Sequence, residues 1–219
     1  MEPILQLTSR GAVAHAAPET LAALADTFRA ECCARLPRLI EPVLLSRIQT
    51  SIERSAFVER RHGTIASELC MERNTTLGLL HFLANDATVF DLVQRISGIA
   101  GLRFFVGRVY RRAAAAAHHD SWHSDVHPDR RVGMSINLST APYDGGVFEI
   151  RDEATLRALG VLANTGPGDA LLFAIDEHLE HRVTSVSGTA AKTAFAGWFG
   201  TTRDYLGELA ADPSLPDEW

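Results

Sequence analysis

From Leu102 onward the chain is a succession of short segments of strand period: LRFFVGRVYRR, RVGMSINLS, GGVFEIRD, DALLFAI and AKTAFAGWFG. Turn chemistry separates them, with Pro142, Gly145 and Gly146 in one connection and Gly166, Pro167 and Gly168 in another. Many short strands divided by such turns bury their apolar faces only by closing or stacking sheets, so a barrel or sandwich is expected. Before Leu102 the period is helical. PETLAALADTFRAECCARL, EPVLLSRIQTSIERSAF and ATVFDLVQRISGI have apolar residues at helical spacing, with Pro18 and Pro42 suited to first turns and the third segment ending near Gly98. We expect one domain over residues 1–219, with helices over about 18–100 supporting a β core over about 102–202. The alanine run at 113–117 reads as a connector.

A length of 219 residues allows one substantial core. No run approaches the roughly 18 consecutive apolar residues of a membrane helix. The start, MEPILQLTSRGAVAHAA, has no basic leader, so no secretory signal is expected and the cytoplasm is the default. Cys32, Cys33 and Cys70 are odd in number and two are adjacent, which suits thiols of a reducing compartment better than a disulfide framework. A net charge of −6 gives no electrostatic footprint for nucleic acid, and the doublets Arg60–Arg61, Arg111–Arg112 and Arg130–Arg131 read as solvated loop charges. Among 21 lysines and arginines, Lys192 is the one lysine. It stands in AKTAFAGW, a strand of small and apolar neighbours where an unpaired ammonium would be costly.

Residues 118–131, HHDSWHSDVHPDRR, hold four of the nine histidines. His-x-Asp occurs there three times, as His118 with Asp120, His123 with Asp125 and His127 with Asp129. On a strand such a pair shares one face, its α-carbons about 6 to 7 Å apart, so imidazole and carboxylate can converge on one ion. Spacing alone does not choose among the three. Pro128 favours a turn for the last pair and the first follows directly on the alanine run, which leaves the middle pair best placed for an ordered strand.

Taken together with DALLFAIDEHLEHRVTSVSGTAAKTAFAGWFG, the middle pair resembles the iron(II)- and 2-oxoglutarate-dependent oxygenases, the prolyl-hydroxylase-like superfamily. In that pattern His-x-Asp is followed tens of residues later by a second histidine, a valine, a turn and a basic residue on the next strand. Here those are His123, Asp125, His181, Val183, Gly188 and Lys192, and the resemblance runs from roughly Tyr110 to Phe199, through GG and an apolar strand at Gly145 to Ile150 and through GPGDALLF. It implies a mainly β fold with flanking helices, a double-stranded β-helix or jelly roll. It implies His123, Asp125 and His181 as ligands of iron(II), an arrangement with open positions for 2-oxoglutarate and dioxygen. It places Lys192 on the distal carboxylate of 2-oxoglutarate, with Tyr110, Asn137 and Trp198 near the cosubstrate. His181 is preferred to His178 because only His181 precedes RVTSV. His118, His119 and His127 are expected in loops or outside the ligand shell, and Arg182 on the surface.

Two departures from the pattern, Ser185 where proline is common and Val147–Phe148 after GG, weaken any borrowed substrate without touching the metal. Asp125 separates the chain from halogenases, which leave that position without a carboxylate. The activity implied is hydroxylation of a C–H bond of an amino acid, peptide or small biosynthetic intermediate, with release of succinate and CO2 and no catalytic residue beyond the metal centre. The alternative is a metal-binding jelly roll, a sensor or isomerase, without oxygenase activity. Neither membrane nor nucleic acid is an expected partner, and the oligomeric state is left open.

Overall fold

The computed structural model describes residues 3–63, 65–114, 118–163 and 165–202; the end of the alanine run, 115–117, lies outside them. A hairpin of β1 (Leu5–Thr8) and β2 (Gly11–Ala14) leads into α1 (Pro18–Glu31), β3 (Cys33–Leu36) and α2 (Pro42–Glu53). A second hairpin, β4 (Phe57–His62) and β5 (Ala66–Met71), precedes α3 (Thr75–Ala84) and α4 (Ala87–Ser97). The strands of the second half are β6 (Phe104–Arg112), β7 (His119–Asp120), β8 (Val132–Asn137), β9 (Asp144–Gly145), β10 (Phe148–Asp152), β11 (Ala158–Leu162), β12 (Ala170–Ala174), β13 (Leu179–Val183), β14 (Val186–Ser187) and β15 (Lys192–Gly200).

The larger sheet runs β3-β12-β8-β15-β6-β5-β4, with β7 pairing β5 beside that path; the smaller runs β11-β10-β13, next to a β9–β14 ribbon. All of these pairings are antiparallel. This is the expected jelly-roll double-stranded β-helix, mainly β with flanking helices. The helices cover the outer face of the larger sheet. Leu44, Ile48 and Ile52 of α2 and Val89, Leu92, Val93 and Ile96 of α4 form one core with Phe105, Val109, Phe195 and Phe199 of β6 and β15. The inner faces meet in a smaller cluster of Cys33, Phe148, Ile150, Leu171 and Phe173. Opposite faces of β6 thus carry opposite characters: Phe105 and Val109 face the helices, whereas Arg108, Tyr110 and Arg112 line the interior.

The first half is less helical than its sequence suggests. Cys32 adopts a left-handed conformation at φ 57° and ends α1, so CARL becomes β3 and pairs with β12. Cys33, Ala34 and Leu36 are buried there, an apolar run that fits an edge strand as readily as a further helical turn. The β4–β5 hairpin extends the larger sheet within the stretch 18–100 that was expected to be helical. The helix α3 was not expected, because TTLGLLHFLA is apolar all round and shows no stripe; Asn74 caps it by accepting from the Leu77 N–H at 3.0 Å. Gly107 and Gly197 face each other across β6 and β15. A Cβ at Gly197 would run into the Val106 carbonyl and the Gly107 α-carbon, so the pair permits a close backbone approach.

Candidate active site

Between the two sheets lies a cavity of about 320 Å³, lined among others by His123, Asp125, His181, Tyr110, Lys192 and Trp198. His181 is placed by β13, which pairs with β10 so that His181 stands opposite Ile150. His123 is not on a strand ladder, as the alternation suggested, but on an isolated antiparallel bridge to His181. The two residues exchange backbone hydrogen bonds, His123 N–H to the His181 carbonyl at 3.1 Å and the reverse at 2.9 Å. Their rings consequently lie 4.4 Å apart, and Phe173 packs 4.5 Å from the His181 ring. His123 Nδ1 is 2.8 Å from the Ser121 carbonyl, so it donates there and the lone pair is on Nε2, toward Asp125.

Asp125 follows outside any strand. Its Oδ2 accepts from Trp198 Nε1 at 2.6 Å and lies 3.4 Å from His181 Nε2, and its Oδ1 is 3.7 Å from His123 Nε2. Burial alone would push this carboxyl up; His181, the Trp198 indole and His123 outweigh it and hold the group below the ordinary carboxylate range. One ligand atom from each of His123, Asp125 and His181 lies within 4.8 Å of the others. Two imidazoles and a carboxylate converging in this way fit a divalent transition metal, and the donor set leaves positions open for ligands of its own.

Lys192 is buried, 5% exposed, and its Nζ donates to the Gly146 carbonyl at 2.9 Å. The second glycine of the GG motif is therefore its backbone partner. Burial, and then Arg112, pull the ammonium down to about 7, with Asp120 opposing them. Tyr110 is buried in the cavity wall, with the Arg112 guanidinium 4.9 Å from its ring. Asn137 stands apart from the large cavity, in a small recess with Lys192, Tyr143 and Gly146. Its amide donates to the Thr165 carbonyl at 2.5 Å and accepts from the Ser139 N–H at 2.9 Å. Trp198 shares the face of Lys192, as the six-residue spacing requires, and holds Asp125.

A second charged group in the wall was missed. Glu68 of β5 is fully buried and accepts from Arg108 Nε at 2.6 Å and Arg112 Nη2 at 3.1 Å, with His62 Nε2 at 3.4 Å. Arg112 Nη1 lies 3.1 Å from Asp120, which also accepts from the Val183 N–H at 2.9 Å. Asp120, the carboxylate of the first His-x-Asp pair, thus ties β7 to β13. The available signal was Arg108 and Arg112 on one alternating face of a central strand, where two guanidinium groups require carboxylate partners. His62, Glu68 and Cys70 also lie close enough to hold an ion. The two arginines already match the Glu68 charge, and burial pushes the Cys70 thiol up to about 11, so that trio does not suit a cation.

Arg130 is not a solvated turn charge either. Its guanidinium lies 3.6 Å over the Trp198 ring and its Nη1 is 3.7 Å from Asp125. Arg182 does lie on the outer face, bonded to Glu149 at 2.7 Å and, with Arg151, flanking Trp122. His119, His127 and His178 are exposed, and His118 Nδ1 accepts from the Ala113 N–H at 3.1 Å, so none of the four joins the trio.

No helix among the described residues is long and apolar enough to cross a membrane. The sequence matches the family model described as the 2OG-Fe(II) oxygenase superfamily over residues 106–200. No curated protein matches the chain. Similar solved structures include an oxidoreductase of the 2OG-Fe(II) oxygenase family from Burkholderia pseudomallei, 17% identical at a TM-score of 0.66 over 87% of this chain and 95% of the other. A Pseudomonas putida prolyl-4-hydroxylase is 16% identical at a TM-score of 0.62, covering 83% of this chain and 98% of its own. The non-haem alpha-ketoglutarate-dependent epimerase SnoN from nogalamycin biosynthesis is 15% identical at a TM-score of 0.65, over 91% and 93%. The matched residues 106–200 take in the His-Asp-His trio and Lys192, so the part of the chain that carries the candidate site is similar to the 2OG-Fe(II) oxygenase superfamily, and the chain as a whole shares the fold of these solved structures.

Proposed function

We propose that the enzyme hydroxylates a C–H bond of a small-molecule or peptide substrate, an amino acid, peptide or biosynthetic intermediate, and releases succinate and CO2. The supporting observation is the convergence of His123, Asp125 and His181 within 4.8 Å in a cavity that also contains the buried Lys192. In this reading those three residues hold the iron. When bound, the metal supplies the redox chemistry that gives one oxygen atom of O2 to succinate, as 2-oxoglutarate loses CO2, and the other to the substrate as hydroxyl.

The chain's own side chains bind, orient and exclude water. Lys192 takes the distal carboxylate of 2-oxoglutarate, and Arg112, its direct cross-strand partner, is the second cation beside that carboxylate. Tyr110 lies on the same face, between Arg108 and Arg112. Asn137 shapes the recess behind Lys192 through its bonds to Thr165 and Ser139. Trp198 fixes the orientation of Asp125. Phe148, Leu171 and Phe173 supply an apolar wall that keeps water from the reacting centre. No side chain is needed as general base. The three cysteines are free thiols, which supports a cytoplasmic setting.

The test is anaerobic titration of the Fe(II) protein with 2-oxoglutarate, followed by succinate measurement in air with candidate substrates. A weak visible charge-transfer band and substrate-stimulated succinate are expected. Asp125→Ala should lose the succinate, and full turnover by that variant would overturn the ligand assignment. A metal-binding protein without oxygenase activity would give neither band nor succinate.

A further inference from the structure

Of the three His-x-Asp pairs, the first supplies no ligand to the trio, yet its carboxylate is buried beside it. The Asp120 side chain is 5% exposed and meets three elements at once. Its Oδ2 accepts from the Val183 N–H of β13 at 2.9 Å and lies 3.1 Å from Arg112 Nη1 of β6, while its Oδ1 is 3.5 Å from His123 Nδ1. The residue itself stands on β7, opposite Ala66 of β5. Arg112 is in turn held by Glu68, to which its Nη2 donates at 3.1 Å, so the Asp120 carboxylate is fixed from behind. A buried carboxylate with partners on both oxygens has one orientation to offer.

Two of these contacts reach the candidate metal ligands. Val183 lies two residues beyond His181, and both residues send their N–H to the stretch 120–123: His181 to the His123 carbonyl at 2.9 Å, Val183 to Asp120. Asp120 therefore helps to set where β13, and His181 on it, stands relative to His123. The second contact is with the ring. His123 Nδ1 donates to the Ser121 carbonyl at 2.8 Å, and Asp120 Oδ1 is a second acceptor on the same side. Two oxygens facing Nδ1 favour a proton there and leave the lone pair on Nε2, the nitrogen turned toward Asp125. A carboxylate behind a ligand imidazole also makes that imidazole a stronger donor to a metal.

We propose, given the ligand assignment above, that Asp120 is a positioning residue of the metal centre: it holds His123 as the Nδ1–H tautomer and, through Val183, keeps His181 in register with it. The substitution Asp120→Asn separates this role from simple packing. With its carbonyl oxygen kept on the Val183 N–H, the amide turns an NH2 toward His123 Nδ1, where donor would meet donor. The ring then gains by moving its proton to Nε2, which takes the lone pair away from the metal.

The experiment uses the whole chain, free of metal and cosubstrate, titrated calorimetrically with Co(II) alone. Asp120→Asn and Asp120→Ala should each weaken Co(II) by about tenfold or more. Nitrogen-15 NMR of the histidine-labelled protein at pH 8, with the His123 signals assigned by their loss in His123→Gln, gives a readout independent of the metal. The unaltered protein should show His123 protonated at Nδ1, and Asp120→Asn should move the proton to Nε2. The proposal is overturned if both variants bind Co(II) as the unaltered protein does, or if His123 stays protonated at Nδ1 in Asp120→Asn, which would leave the Ser121 carbonyl sufficient by itself. It is also overturned if the unaltered protein carries the proton on Nε2, a result that needs no variant to fold. Failure of the ligand assignment looks different: the unaltered protein would then take no Co(II), or Asp125→Ala would bind it equally well.

Discussion

Lys192 is the residue on which sequence and structure press hardest. Its burial opposes its own charge, and so does Arg112, which together bring the ammonium to about 7. An unfolded chain keeps a lysine protonated to about 10.4. The folded, ligand-free protein therefore binds fewer protons than the unfolded one between those values, and its stability rises with pH across that window. Below about 7 the destabilisation is present in full. Lys192→Met should accordingly raise the melting temperature of the ligand-free protein at pH 6, with the difference shrinking by pH 9. A carboxylate beside Lys192 reverses the preference and retains the proton. Binding of 2-oxoglutarate at pH 8 should thus take up a proton, read as a dependence of the calorimetric heat on buffer ionisation enthalpy. Heats independent of the buffer would remove Lys192 from the cosubstrate site. The lysine was legible in the sequence because it was single and stood among small apolar residues. Glu68 was not, since nothing local announces that a glutamate some 40 residues before Arg108 and Arg112 will be buried against them.

At the scale of elements, β6 and β15 carry most of the site between them: Arg108, Tyr110 and Arg112 on one, Lys192 and Trp198 on the other. Their approach depends on Gly107 and Gly197, since side chains there would meet backbone rather than a movable neighbour. Gly197→Ala should cost about 1–3 kcal/mol in denaturant unfolding and weaken 2-oxoglutarate binding as well, because the displaced strands hold Lys192 and Arg112, the two cations proposed for its distal carboxylate. An unchanged denaturation midpoint would show that the strands can separate without loss. The central strands β6, β8, β10, β12 and β15 were readable because burial on one or both faces forces period two or a continuous apolar run. The strands β4 and β13, FVERRH and LEHRV, were not, because their outward residues are charged and their inward ones include the histidines of the cavity. For β3 and the end of α1, two cysteines and an alanine satisfy helix and strand equally, and pairing with β12 decides.

For the molecule as a whole, the two sheets meet differently at the site than elsewhere. Their inner faces are joined by apolar packing of Phe148, Ile150, Leu171 and Phe173, whereas at the mouth the stretch carrying His123 meets β13 through an isolated bridge, with the Asp120–Val183 bond beside it. Both imidazoles of the trio hang on that bridge, each donating its own amide to the other's carbonyl. A pair of hydrogen bonds without flanking ladder opens easily, and its opening is visible in the rate at which those two amides exchange with deuterium. An ion gripping both side chains closes the backbone pair into a ring, so the exchange of His123 and His181 should slow together on metal loading and quicken together on chelation. Slow exchange unaffected by metal would mean that the bridge stands by itself. If the two amides respond, this short contact works as a clasp: the ion that serves the chemistry also fastens the open lip of the barrel, and its loss would be felt as loosening before the fold gives way.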